Sequence, residues 1–274
     1  MSMIITGLIA SIFYAASAWL QQRMLSGDKP AHHSHQSTPS FGILFLAGLA
    51  LLDHAFNAML AIRTPAGYDF GFFRVASLFS WVMSLIVVLA SLKKPVANLF
   101  LLLFPLAIVS ILCSTFLPSY YHPHADLSGG VALHSVLGIL AFSLLTVAAI
   151  QALVVAWLSR ELKHHHFSNT LRHMPPLQSM EELLFDIIKA GFIALLAVII
   201  SGFVFMDDMF GQHLAHKTVL TLASFAVWGI LLWGRHRFGW RGKVALRWIL
   251  GGFVVLILAY FGSKFVLEIL LNRV

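Results

Sequence analysis

The chain has 274 residues, of which 59% are hydrophobic and only 11% charged, against roughly 45–50% and about 25% in typical soluble chains. Its mean hydropathy of +0.87 points the same way and excludes a soluble enzyme, a disordered protein and a secreted disulfide scaffold, because no soluble fold hides this much apolar surface. The net charge of +7 lies between apolar runs, where membrane topology explains it and nucleic-acid binding is not expected.

A membrane helix needs about 20 mostly apolar residues. Eight runs qualify: Met3–Leu20, Phe41–Ile62, Phe73–Leu92, Asn98–Phe116, Gly130–Leu158, Leu183–Phe205, Thr218–Trp233 and Val244–Leu270. The predicted fold class is therefore all-α, a polytopic transmembrane helical bundle forming one domain over residues 1–274. The first run lacks a basic start and an Ala-x-Ala cleavage site, so it is expected to be a retained span and not a signal peptide. The fifth and eighth exceed one bilayer thickness and are expected to tilt or to project into water. The seventh is the shortest, with room for a turn at either end. No internal repeat stands out.

The connecting segments are short and polar, and their bases are unevenly shared. Arg23, Lys29, Lys93, Lys94, Arg160, Lys163, Arg172, Arg235, Arg237, Arg241 and Lys243 fall in the odd-numbered loops. The opposite segments hold Arg63, Arg74, Lys217, Lys264 and Arg273. The positive-inside rule then predicts cytoplasmic odd-numbered loops and both termini outside. Small residues in spans five, six and eight (Gly138 and Ala141, Gly191 and Ala194, Gly251 and Gly252) are expected to let helix backbones approach closely.

Ionisable groups inside a membrane are costly, so each is a functional candidate. Lys189 lies about two turns inside the sixth span, and the plain expectation is that it snorkels and pairs with Asp186, three residues earlier. The single cysteine, Cys113, follows Ile111 and Leu112 and is expected to be a buried inert thiol.

Histidine is the informative residue, with fourteen copies. Four lie in or at the edges of spans: His54, His134, His216 and His236. Neutral imidazole is cheaper to bury than a charge and is a good axial ligand for haem iron. Each of the four is thus read either as a haem ligand or as a hydrogen-bonded bundle histidine. The loop histidines (His32, His33, His35, His122, His124 and His164 to His166) read as solvated tract, since no cysteine, zinc-finger spacing or H-E-x-x-H motif accompanies them. No Gly-rich phosphate loop or nucleophile elbow is present, and no enzymatic activity is expected.

Four stretches carry a family pattern. The first is His134-Ser135 on one long helix through Ser143, Ala148 and Ala152 to Leu162-Lys163. The second is Met174-Pro175-Pro176-Leu177 with Met180-Glu181 and Leu184-Phe185. The third is Trp233-Gly234-Arg235-His236-Arg237 with Gly239-Trp240-Arg241-Gly242, and the last is Leu258-Ala259-Tyr260-Phe261-Gly262. Together they cover about half the chain, and it resembles the cytochrome c assembly superfamily of the CcsA, CcmC and HemX type, most closely the YpjD-like inner-membrane branch. The N-terminal half is similar only in its hydropathy layout.

The resemblance implies an integral protein of the bacterial inner membrane that binds haem and acts in cytochrome c maturation or haem handling. It implies partners among the cytochrome maturation membrane proteins besides haem and the lipid bilayer. It also implies haem ligation by His134 and His236; His54 and His216 match no family motif and rest on position alone. Arg235, Arg237 and Arg241 read either as propionate partners or as the positive-inside signal. Full haem-delivery members carry a tryptophan-rich external segment, whereas the loop from Met206 to His216 holds no Trp, which implies an accessory or regulatory role. The alternatives are a small-molecule transporter, for which paired broken helices and inverted repeats are not visible, and a cofactor-free membrane scaffold.

Overall fold

Within lipid a backbone meets its hydrogen-bonding needs only as a helix or a closed barrel, and each apolar run folds as a helix. The computed structural model describes residues 2–26, 39–65, 67–119, 121, 128–164, 174–205, 215–262 and 264–265. Its elements are α1 (Ser2–Ser26), α2 (Phe41–Ile62), the short strands β1 (Arg63–Thr64) and β2 (Gly67–Tyr68), and α3 (Phe72–Ser91). A 3-10 turn (Ala97–Leu99) leads into α4 (Phe100–Phe116), followed by α5 (Gly129–Lys163), α6 (Leu177–Phe205), α7 (Ala215–Phe238) and α8 (Gly242–Ile257), which continues as a π turn (Leu258–Gly262). Among the described residues, eight helices are long and apolar enough to cross a membrane.

The ends of the helices move outward from the apolar runs for local reasons. α1 continues past Leu20 to Ser26 because Gln21, Gln22 and Arg23 are good helix formers. α6 begins at Leu177, directly after Pro175-Pro176, and its polar first turns are supported by a Gln178 Nε2 donation to Glu182 Oε1 at 3.1 Å. α5 has 35 residues, or roughly 52 Å at about 1.5 Å per residue, so it projects well beyond one hydrocarbon core, as expected. The last run is described as far as Phe265; its remainder lies outside the described residues.

The chain divides into two units. Unit 1 comprises Met1–Pro65, Phe73–Ser119 and Trp157–Leu183, and unit 2 comprises Ala66–Phe72, Tyr120–Ala156 and Leu184–Val274.

In unit 1, α1 presents Ile4, Ile5, Leu8, Ile9 and Ile12 outward and buries Ser11, Tyr14, Ser17 and Gln21. That is the reverse of a helix in water, and it suits lipid, where apolar side chains gain nothing by hiding and polar ones need partners. Gly7 lets α4 come close: a Cβ there would stand 2.8 Å from Thr115 Oγ1 and 3.3 Å from Ile111. The Tyr14 ring packs on Phe104 at 4.9 Å between centroids. α3 is tied to α2 by Trp81 Nε1 donating to the Leu51 carbonyl at 2.9 Å and to α4 by the Ser80–Ser110 hydroxyl pair. Cys113 is half-buried, not buried as its apolar neighbours suggested.

In unit 2, α5 and α6 run antiparallel. Phe205 meets Gly130, and Leu145 meets Gly191, where a Cβ would lie only 2.6 Å from a leucine methyl. Phe142 of α5 packs on Tyr260 and Phe261 of the π turn, at 5.2 and 5.4 Å. α7 and α8 are joined by Ser224 Oγ donating to the Gly252 carbonyl at 3.1 Å, with Trp228 seated against Gly252. Gly138, Gly191 and Gly252 thus serve close packing, whereas Gly251 has open space beside it. Lys189 pairs with Asp186 at 3.3 Å, both side chains exposed, as the sequence suggested.

Candidate functional site

The four singled-out histidines fall into three environments. His54 lies in the middle of α2 and is fully buried in unit 1. Tyr14 Oη sits 3.2 Å from its Nδ1 and Ser77 Oγ sits 3.0 Å from its Nε2. Both ring nitrogens are therefore occupied, and no lone pair is left for a metal. This is the hydrogen-bonded bundle histidine of the two readings.

His134 differs. It stands half-buried near the start of α5, and its Nδ1 lies 3.0 Å from Ser201 Oγ on α6. Ser201 directs its own hydroxyl at the Val198 carbonyl, 2.9 Å away. A hydroxyl has one proton to give, and with that proton on Val198 the Ser201 oxygen accepts a hydrogen carried by Nδ1. Nε2 is then the unprotonated nitrogen. Orientation of one nitrogen by a hydrogen bond so that the other can bind metal is the usual arrangement of a ligating histidine.

His216 and His236 lie at opposite ends of α7, and both are exposed. Twenty residues of helix separate them, or about 30 Å at roughly 1.5 Å per residue. Register decides which end belongs with His134. α6 and α7 are antiparallel, with Phe192 stacked on Phe225 at 4.4 Å and the Arg235 guanidinium 4.5 Å over the Phe185 ring. Nine residues beyond Phe192 stands Ser201, and nine residues before Phe225 stands His216. His134, Ser201 and His216 therefore share one level of unit 2, at the end where α6 finishes and α7 begins.

His236 occupies the far end, in a segment whose sequence pattern has a structural explanation. Gly239 adopts φ +64° as the left-handed residue closing α7, its N–H bonded to the Arg235 carbonyl at 3.2 Å. Trp240 then folds back over Gly234 and stacks on Trp248 at 5.5 Å. Arg235 is held here, donating to the Trp240 carbonyl at 3.2 Å, so the Arg235, Arg237 and Arg241 group lies a whole helix length from His134. The cations at the His134 end are Lys217, next to His216, and Lys264. Lys264 donates to the Phe70 carbonyl and sits 5.0 Å over the Tyr121 ring.

The π turn places one further group at this end. Tyr260 points its hydroxyl into the notch left by Gly138, one helical turn from His134 on α5. Two other residues were not singled out by sequence. Ser201 gives no signal in an apolar run. Asp53 did give one, as a carboxyl beside His54 in mid-span; it is half-buried, with no hydrogen bond or ion pair among the described residues.

Among the described residues no three His, Cys, Asp or Glu side chains converge on a metal-sized point. His32, His33, His35, His122, His124, His165, His166 and the loop from Met206 to Leu214 lie outside the described residues.

The pattern of the cytochrome C assembly protein family matches residues 43–271. The chain belongs to that family. The match begins in α2, so the family pattern takes in α2 to α4 as well as the C-terminal half in which the sequence resemblance was read. The inner membrane protein YpjD of Escherichia coli K12 is 29% identical over 226 residues, covering 82% of this chain and 86% of that protein. A 28.8 kDa protein of Azospirillum brasilense is 34% identical over 144 residues, covering 52% and 53%. No solved structure matches the chain.

Proposed function

We propose that this chain is a haem-binding protein of the bacterial inner membrane that acts in cytochrome c maturation or haem handling, with His134 Nε2 as the iron ligand. The observation that carries the reading is the Ser201 bond, which suits the tautomer that offers Nε2 as the coordinating nitrogen. Family membership supports the role, and the name of the E. coli relative supports the location.

The residues at this end of unit 2 suit the group. His134 Nε2 would hold the iron, His216 at the same level would be a further imidazole within the same end of unit 2, and Lys217 and Lys264 would provide positive charge for the propionates. When bound, haem supplies an iron that cycles between ferrous and ferric states and a negative edge for those lysines to hold. His236, about 30 Å along α7 from His216, needs an iron of its own if it ligates one.

The missing tryptophan-rich segment supports an accessory or regulatory role. Expression in a strain lacking its haem ligase should therefore leave covalent cytochrome c unformed. The direct test is the Soret absorbance of the purified protein, before and after addition of haemin. A protein isolated without haem and unable to take it up is instead the cofactor-free scaffold.

A further inference from the structure

We propose that the interior of unit 1 holds a chain of ordered water which, with His54 at its centre, relays protons along the axis of the helices. This does not rest on the haem reading, since every group involved belongs to unit 1.

The first observation is a set of buried polar atoms with no partner in the protein. Near the first turns of α1 these are Asn57 Oδ1, Ser114 Oγ and Thr115 Oγ1. Toward the other end they are Gln21 Oε1 and both side-chain atoms of Asn98. Asn57 is fully buried and Ser114 is 2% exposed. An amide flip does not rescue Asn57, because its Nδ2 already donates to the Met3 carbonyl at 2.7 Å and to Thr6 Oγ1 at 3.1 Å. Leaving so many buried groups unsatisfied in a membrane is costly, and water is the usual partner in such a place.

The second observation is their alignment. The register of α1 against α4, set by Gly7 with Thr115 and Ile111 and by Tyr14 with Phe104, brings Gln21 to the level of Asn98. The polar face of α1 from Gly7 to Gln21 is then about 21 Å long at roughly 1.5 Å per residue, most of one hydrocarbon core of about 30 Å.

The third observation is the group at the midpoint. His54 meets a hydroxyl at each ring nitrogen, Tyr14 on one side and Ser77 on the other. A proton accepted at one nitrogen while another leaves from the opposite nitrogen moves one charge through the ring and leaves the other tautomer, which rotation of the flanking hydroxyls and the ring resets before the next transfer. The groups facing His54 are Tyr14 from α1 and Ser77 from α3. α4 contributes no charged residue in its entire length, and the charges on the other three helices are Arg23, Asp53 and Arg74.

The test uses the purified full-length protein in liposomes that contain a pH-sensitive dye, with a potassium diffusion potential as the driving force. The relay predicts proton entry faster than in protein-free vesicles, loss of that excess in His54→Gln, and partial loss in Tyr14→Phe. Radiolytic hydroxyl labelling supplies the second readout and should modify Tyr14 and Met83, both buried in unit 1, because water must stand beside them. Circular dichroism and size exclusion establish that His54→Gln folds. Flux equal to that of empty vesicles, or His54→Gln flux equal to wild type, overturns the relay. Labelling without flux also overturns it and leaves the water as structural filling.

Discussion

His134 Nδ1 and Ser201 Oγ, 3.0 Å apart, join α5 to α6 across 67 residues of sequence. Because Ser201 gives its proton to the Val198 carbonyl, the bond sets the ring tautomer as well as the ring angle.

Removal of this oxygen should therefore weaken haem binding without abolishing it. Outer-shell partners of metal-bound histidines are typically worth about 10- to 100-fold in affinity. Ser201→Ala should show a loss of that size in haemin titrations followed by absorbance, and Ser201→Thr, which keeps a hydroxyl, should recover part of it. Equal affinity in wild type and Ser201→Ala would contradict the tautomer argument.

The two ends of α7 should behave differently. His216→Ala should shift the Soret and visible bands of the haemin-loaded protein, since His216 stands at the level of His134. His236→Ala, about 30 Å away along the helix, should leave that iron's spectrum unchanged. A shift in the His236 variant alone would place the site at the wrong end of unit 2.

Gly138 and Tyr260 make a steric pair. A methyl at position 138 overlaps the Tyr260 hydroxyl, so Gly138→Ala should cost about 1–3 kcal/mol of stability, the usual range for overpacking. In a Tyr260→Phe background the same substitution should cost clearly less, because the oxygen is gone. Thermal melts in detergent read the cycle, and equal losses in both backgrounds would show that the contact is not responsible.

Topology carries its own expectation. The basic residues of the odd-numbered loops predict both termini outside, so a reporter fused after Gly129 should report the outside and one after Gly242 the cytoplasm. The same side for both would defeat the eight-span arrangement.

The helices were legible because a span needs only length and hydropathy, both local properties. Phe41–Ile62 was read to the residue for that reason. α6 began six residues earlier than its apolar run, since Gln178 to Glu182 make a polar helix that hydropathy passes over. His134 and His54 were visible as buried histidines, but nothing local distinguished them. The difference lies in Ser201, Tyr14 and Ser77, small polar groups on other helices whose pairing is decided by packing. The Gly239-Trp240 pattern was legible as a family feature, and its physical cause, a left-handed helix cap with a tryptophan folded over Gly234, required the structure.

Resonance Raman and Soret spectra of haemin-loaded variants show whether His134 Nε2 holds the iron. His134→Ala should lose most of its haem or its histidine–iron signature, while His164, His165 and His166 replaced together by Ala should match wild type. Full haem content and an unchanged spectrum in His134→Ala would contradict the account.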